Sequence, residues 1–203
     1  MSDKLLPVKL VAPVVKDGAT LKGAIMKRRT SREFSPQPLT LKDLSELLWA
    51  AYGINRKATR GRTVPSACGV YPLDLYVFTL DGVYLYEAEE HKLNPVVKGD
   101  LRALAGGQEF VASAPLSIAI FADRSRMTSD DPAMEASLKA HADRIAALDA
   151  GAVTENAYLY AASANINIVE RMWVDDVKLR EALGLSDDNL FQVALTLGYP
   201  PEK

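Results

Sequence analysis

Lys27, Arg28, Arg29, Thr30, Ser31 and Arg32 place four cations and two hydroxyls in six consecutive positions, with Glu33 and Phe34 following. Guanidinium forks and hydroxyl donors recognise phosphate, and several from one loop can surround a dianion. Taken alone the stretch also reads as a solvated basic turn, the ordinary setting for Arg and Lys. A second stretch weighs against that. Arg62-Thr63-Val64-Pro65-Ser66-Ala67-Cys68-Gly69-Val70-Tyr71-Pro72 is a loop of small residues leading into a strand. There, backbone N–H groups can approach a flat ligand closely. Other chemistries lack their residues. The single Cys rules out an intrachain disulfide framework and a Cys-rich metal site. His91 and His141 lie far apart without metal-ligand spacing, and both read as surface residues. With no His or second Cys near it in sequence, Cys68 reads as a packing residue rather than a reactive thiol. Neither a GxGxxG fingerprint nor a P-loop occurs, so a bound phosphate would fall to the Arg-rich turn.

Those residues need elements to position them. With 203 residues, 48% of them hydrophobic, the chain is long enough for one globular domain or one protomer of an interlocked dimer. A net charge of −2 gives no reason to expect nucleic acid or an anionic membrane as partner, so the basic cluster is local and suits a small anion. No apolar run is long enough to span a bilayer, and Pro7, Lys9 and Pro13 interrupt the apolar start, which disfavours a signal-peptide core. A cytoplasmic protein is expected, with export of a longer precursor left open.

Residues 1–19 read as an extended arm and 20–203 as a single domain. A short helix is expected over 20–29, capped by Thr20, with the basic stretch at its C-terminal end. Thr40 and Asp43 form a capping box for the next helix, whose stripe is Leu41, Leu44, Leu47, Leu48 and Ala51 and which Gly53 ends as a left-handed cap. Residues 54–63 read as a solvated loop in which only Arg62 has an anion role open to it, by adjacency. Residues 73–80 and 83–86 flank Asp81-Gly82 as a hairpin. A short helix is expected over 98–105, and a buried strand over 115–122. Long helices are expected over 132–150 and 151–172, the second so apolar that it calls for burial against a second subunit as well as its own sheet. A helix over 175–183 and a strand over 191–197 follow. This order fits an α+β fold, a mainly antiparallel sheet packed by helices.

The chain resembles the flavin-dependent nitroreductases, in particular the branch related to SagB-type dehydrogenases. The resemblance rests on 28–34 (RRTSREF), on 65–69 (PSACG) leading through Tyr71-Pro72-Leu73 into 75–77, on 155–162 (ENAYLYAA), and on 197–200 (LGYP). It implies a homodimer holding FMN at each of two interface sites. Arg28, Arg29, Thr30 and Arg32 would hold the phosphate and ribityl chain. Pro65, Ser66, Ala67, Cys68 and Gly69 of the other subunit would lie against the isoalloxazine. Backbone around Met172 would meet the flavin ring, although Met172-Trp173 stands where the family commonly has Glu-Gly. Relatives also continue past Gly-Tyr-Pro to basic residues that join the phosphate site; here Lys203 substitutes, or the N-terminal turn acts alone. The implied activity is transfer of electrons from NAD(P)H through FMN to a nitroaromatic, quinone or related small acceptor, with no catalytic side chain and no metal. A non-catalytic FMN- or nucleotide-binding module and a structural helical dimer with an incidental basic turn are the competing readings.

Overall fold

A computed structural model describes residues 4–14 and 19–202. The rest of the expected arm and Lys203 lie outside the described residues. Within the arm, β1 (Val8–Lys9) is extended. α1 (Leu21–Lys27) starts as expected, with the Thr20 hydroxyl accepting from Gly23 N–H at 3.1 Å. α2 (Leu41–Tyr52) has its capping box: the Thr40 hydroxyl accepts from Asp43 N–H at 3.1 Å and donates to the Asp43 carboxylate at 2.8 Å. Gly53 ends α2 in extended backbone, not the left-handed region (φ −72°, ψ 170°). A Cβ there would lie 2.7 Å from the Trp49 carbonyl oxygen, so close approach is what requires glycine.

The expected loop over 54–63 is a small hairpin, β2 (Ile54–Arg56) and β3 (Gly61–Arg62). β4 (Leu73–Phe78) and β5 (Gly82–Glu87) pair antiparallel across Asp81. β6 (Lys92–Lys98) follows, a strand the sequence pattern hides because Pro95 interrupts it. Pro95 sits where the β5–β6 register shifts, a position that tolerates a missing N–H. The helix expected over 98–105 is only a 3-10 turn, Arg102–Ala105. α3 (Glu109–Ser113) leads into β7 (Leu116–Asp123), the expected buried strand.

The two long helices divide elsewhere than expected. α4 (Pro132–Ala140) ends at His141, whose N–H reaches the carbonyls of both Ser137 and Leu138, and α5 (Ala142–Ser163) begins at once. Gly151 lies inside α5, solvent-facing, and does not break it. α5 stops because Asn165 turns left-handed (φ 55°) while Ile166 N–H bonds to Ala161 O at 2.9 Å. Ile168 and Val169 then belong to a strand, β8 (Asn167–Arg171), rather than to the helix expected through 172. α6 (Asp176–Leu183) is capped by Asp175 and closed by left-handed Gly184, and β9 (Asn189–Gly198) ends the sheet.

Seven strands form one sheet in the order β1-β6-β5-β4-β7-β9-β8, every adjacent pair antiparallel. Alternation divides the core. Leu73, Leu75, Val77, Ile118 and Ile120 point to the face that α2 and α5 cover; Tyr76, Phe78, Ala119 and Phe121 point to the face carrying α3 and α6 residues such as Val111 and Leu179. With both faces covered, the central strands read as apolar runs. This is the α+β fold expected from the element order.

Candidate functional site

The basic stretch lies along the open edge of β8. Leaving α1, the chain runs without regular structure past β8's outer side, where Ser31 N–H bonds to Ile168 O at 2.9 Å. The Asn167 amide donates to Glu33 O at 2.7 Å. An unpaired strand edge is thereby covered. Phe34 anchors the far end against Phe110, ring centroids 5.8 Å apart. The side chains of Arg28 and Thr30 turn towards α5. The Thr30 hydroxyl lies 3.1 Å from the Tyr158 hydroxyl, the Arg28 guanidinium 5.4 Å from the Tyr158 ring centre, and Arg28 Nε 4.0 Å from Glu155 Oε1. Arg28, Arg29, Thr30 and Arg32 are all exposed. Among the described residues, Arg29 and Arg32 make no hydrogen bond or ion pair. A cleft of about 400 Å³ opens beside Arg29, walled by Met26, Arg28, Arg29, Ala161 and Ile168.

Pro65, Ser66, Ala67, Cys68 and Gly69 form a tight exposed loop. Cys68 (φ 51°), Gly69 (φ 70°) and Tyr71 (φ 45°) are left-handed, two of them without glycine's freedom. The loop is internally braced: Gly69 N–H bonds to Ser66 O and Val70 N–H to Ala67 O, each at 3.1 Å, and the Ser66 hydroxyl accepts from Tyr71 N–H at 3.0 Å. Ser66 also lies near the carboxyl of Asp149 on α5, one oxygen of which is buried without a partner among the described residues. Burial raises that carboxyl above the usual range, and the nearby Ser66 hydroxyl partly offsets it. Cys68 Sγ rests 3.5 Å from Met134 Sδ, with no second thiol. Arg62 is engaged within the fold. It stacks 4.1 Å over the Tyr52 ring and donates to Tyr52 O at 2.9 Å.

Ser66 meets α5 at Asp149 and Thr30 meets it at Tyr158, so within one chain the two stretches sit about 14 Å apart along that helix. The third expected element, Met172, is exposed at the end of β8, with Trp173 beside it, also exposed. The Gly107 N–H fixes this segment by bonding to Trp173 O at 3.1 Å.

Sequence reasoning passed over three residues that hold these parts. Tyr158 read only as part of the 155–162 helix motif, with no role of its own, although a buried phenol hydroxyl requires a partner. Asp149 gave no signal. Arg171, in β8, is buried behind Met172; it donates to Ala105 O at 2.8 Å and to the Thr196 hydroxyl, and burial lowers its pKa to about 10. Among the described residues no His, Cys, Asp and Glu group could hold a metal, and no helix is long and apolar enough to cross a membrane. His91 is half-buried rather than on the surface, its ring between the Tyr86 hydroxyl (2.9 Å) and Val11 O (3.0 Å).

Comparison with known proteins places this arrangement. The sequence profile described as "Nitroreductase family" matches residues 25–199. A protein of Methanocaldococcus jannaschii, provisionally named a nitroreductase, is 35% identical over 181 residues, covering 82% of this chain and 85% of its own. A crystal structure from Ralstonia eutropha JMP134, also provisionally named a nitroreductase, superposes with a TM-score of 0.87 at 37% identity, over 100% of this chain and 93% of its own. A third, from Desulfovibrio desulfuricans and solved in complex with FMN, has a TM-score of 0.61 at 22% identity and covers 92% of this chain and 89% of its own, a likeness of fold.

Proposed function

The chain belongs to the nitroreductase family, and from that premise we propose that it is an FMN-dependent oxidoreductase. It takes electrons from NAD(P)H and passes them, in a ping-pong cycle, to a nitroaromatic, quinone or related small acceptor. The carrying observation is the segment 28–32, where exposed Arg29 and Arg32 lack partners among the described residues while Thr30 is held on Tyr158. That donor set fits a phosphate dianion. The FMN of the Desulfovibrio protein supports the choice of anion.

In this reading Arg28, Arg29, Thr30 and Arg32 bind the phosphate end. The loop Pro65, Ser66, Ala67, Cys68 and Gly69, beside Asp149, lies against the ring system from a second subunit, and backbone near Met172 borders the ring. When bound, the flavin supplies the redox chemistry, accepting hydride from the nicotinamide and delivering electrons to the acceptor. The chain's own residues bind, orient and exclude water, and none is assigned as a general acid or base. A cytoplasmic location accords with this metabolism.

Purified protein should show flavin absorption bands. Anaerobic NADH or NADPH should bleach them, and a nitroaromatic or a quinone should restore them. Colourless protein that takes up no added FMN would overturn the reading. Flavin that is never reoxidised by these acceptors would reduce the chain to a binding module.

Two chains are part of the proposal. Leu21, Ile25, Met26, Leu148, Met172 and Trp173 are large apolar side chains left exposed on one protomer, surface that a second subunit would cover. The 14 Å between the two stretches on α5 also leaves each to be completed from elsewhere. Sedimentation at micromolar concentration should give a homodimer. A stable folded monomer would defeat this part.

A further inference from the structure

The Thr30 hydroxyl has a direction, set by residues outside the basic stretch. Tyr158 is 5% exposed, and its hydroxyl accepts from the backbone N–H of Glu170, 2.9 Å away on the outer edge of β8. A backbone N–H can only donate, so the phenol oxygen is the acceptor there. The phenol proton must then go elsewhere, because a buried donor left without an acceptor is costly. Among the described residues the acceptor present for it is Thr30 Oγ1, at 3.1 Å. A threonine hydroxyl carries one proton and two lone pairs. Having accepted from Tyr158, it keeps its own proton for a partner on its exposed side, where no protein acceptor is found among the described residues. The Arg28 guanidinium lies over the ring of the same tyrosine.

We propose that Tyr158 is a positioning residue for anion recognition: by taking the Glu170 N–H and donating to Thr30, it aligns the Thr30 hydroxyl as an outward donor to a phosphate oxygen, beside the guanidinium it also supports. The chain of donation runs Glu170 N–H to Tyr158, Tyr158 to Thr30, and Thr30 to the anion. The Glu170 N–H can only donate and the buried phenol proton needs an acceptor, so the polarity follows from β8's edge and does not depend on the ligand. This rests on the FMN reading and adds to it a side chain that touches no ligand.

The test is a set of titrations of FMN and of riboflavin, which lacks the phosphate, into flavin-free full-length protein, followed by flavin fluorescence. Thr30→Val should weaken FMN by about tenfold, the loss of one hydrogen bond to a charged acceptor, and leave riboflavin unchanged. Thr30→Ser should bind FMN as the parent does. Tyr158→Phe should give a smaller FMN-selective loss, which should vanish in the Thr30→Val background because nothing remains to be oriented. Tyr158→Phe strands the Glu170 N–H, so its melting temperature is measured first. A folded Tyr158→Phe protein that binds FMN as the parent does would overturn the role of Tyr158, and the Thr30→Val and Thr30→Ser pair tests the link from Thr30 to the anion whether or not that variant folds. Wild-type FMN affinity in Thr30→Val, equal loss of both flavins, or failure of Thr30→Ser to restore binding would each overturn the relay. Absence of any flavin binding by the parent protein would instead overturn the cofactor reading itself.

Discussion

Arg32→Ala should weaken FMN binding by about ten- to a hundredfold and leave riboflavin binding unchanged. The expectation follows from the environment of the side chain. Arg32 is exposed, two residues beyond Thr30 on the segment that borders β8, and has no hydrogen bond or ion pair among the described residues. Its removal therefore costs the fold little. A dianionic phosphate in contact with it would lose a charge-assisted hydrogen bond worth roughly 1.5–3 kcal/mol. Lys9→Ala, an exposed cation on β1 at the opposite border of the sheet, should leave both flavins unaffected. If Arg32→Ala reduces FMN and riboflavin affinity equally, the side chain acts through the fold or the ring and the phosphate assignment fails.

The second large effect concerns stability. Gly106→Ala should lower the melting temperature by roughly 6–12 °C, corresponding to on the order of 3 kcal/mol. A Cβ at Gly106 would stand 1.7 Å from Arg171 Nη1, an impossible contact. The guanidinium cannot move aside cheaply, because it is buried and bonded to Ala105 O and the Thr196 hydroxyl, which itself lies 2.8 Å from Ser117 Oγ between β7 and β9. Displacing it leaves a buried charge and its acceptors unpaired together. Arg171→Met in the Gly106→Ala background should recover part of the loss, since the clashing group is gone. A Gly106→Ala protein that melts within two or three degrees of the parent would show the guanidinium to be freer than its bonds indicate.

Several parts of the molecule were legible in the chain itself. The Thr20 and Thr40 caps, the Asp81-Gly82 hairpin, the buried strand after Pro115 and the Gly184 terminus are local signals, and each acts within a few residues of itself. Misreadings arose where local signals mislead. Gly151 suggested a helix end, but a single solvent-facing glycine costs a long helix only about 1 kcal/mol. Asn165, the true stop, carries the left-handed turn less conspicuously than a glycine would. β6 was hidden by Pro95, which sits beside the extra residue, Val96, that shifts the register of β6 against β5. The site divides in the same way. The cations of 28–32 and the small residues of 65–69 stand out as residue types. Tyr158, Asp149 and Arg171 do not, since their roles are defined by partners far along the chain: Thr30 lies 128 residues from Tyr158.

The borders of the sheet carry a consequence for the order of assembly. β1 lines the sheet's first border, on β6, and residues 30–34 line its last, on β8. These borders are separated by six strand spacings, about 29 Å, yet both are finished by the first 34 residues of the chain. Glu33 bonds to a residue 134 positions later, and β8 is itself paired only with β9. At about 5–20 residues per second, roughly 10–30 s of synthesis separates the Arg-rich segment from the strands it docks on. The stretch translated among the first is thus ordered among the last, and its loop closure is one of the longest the fold requires.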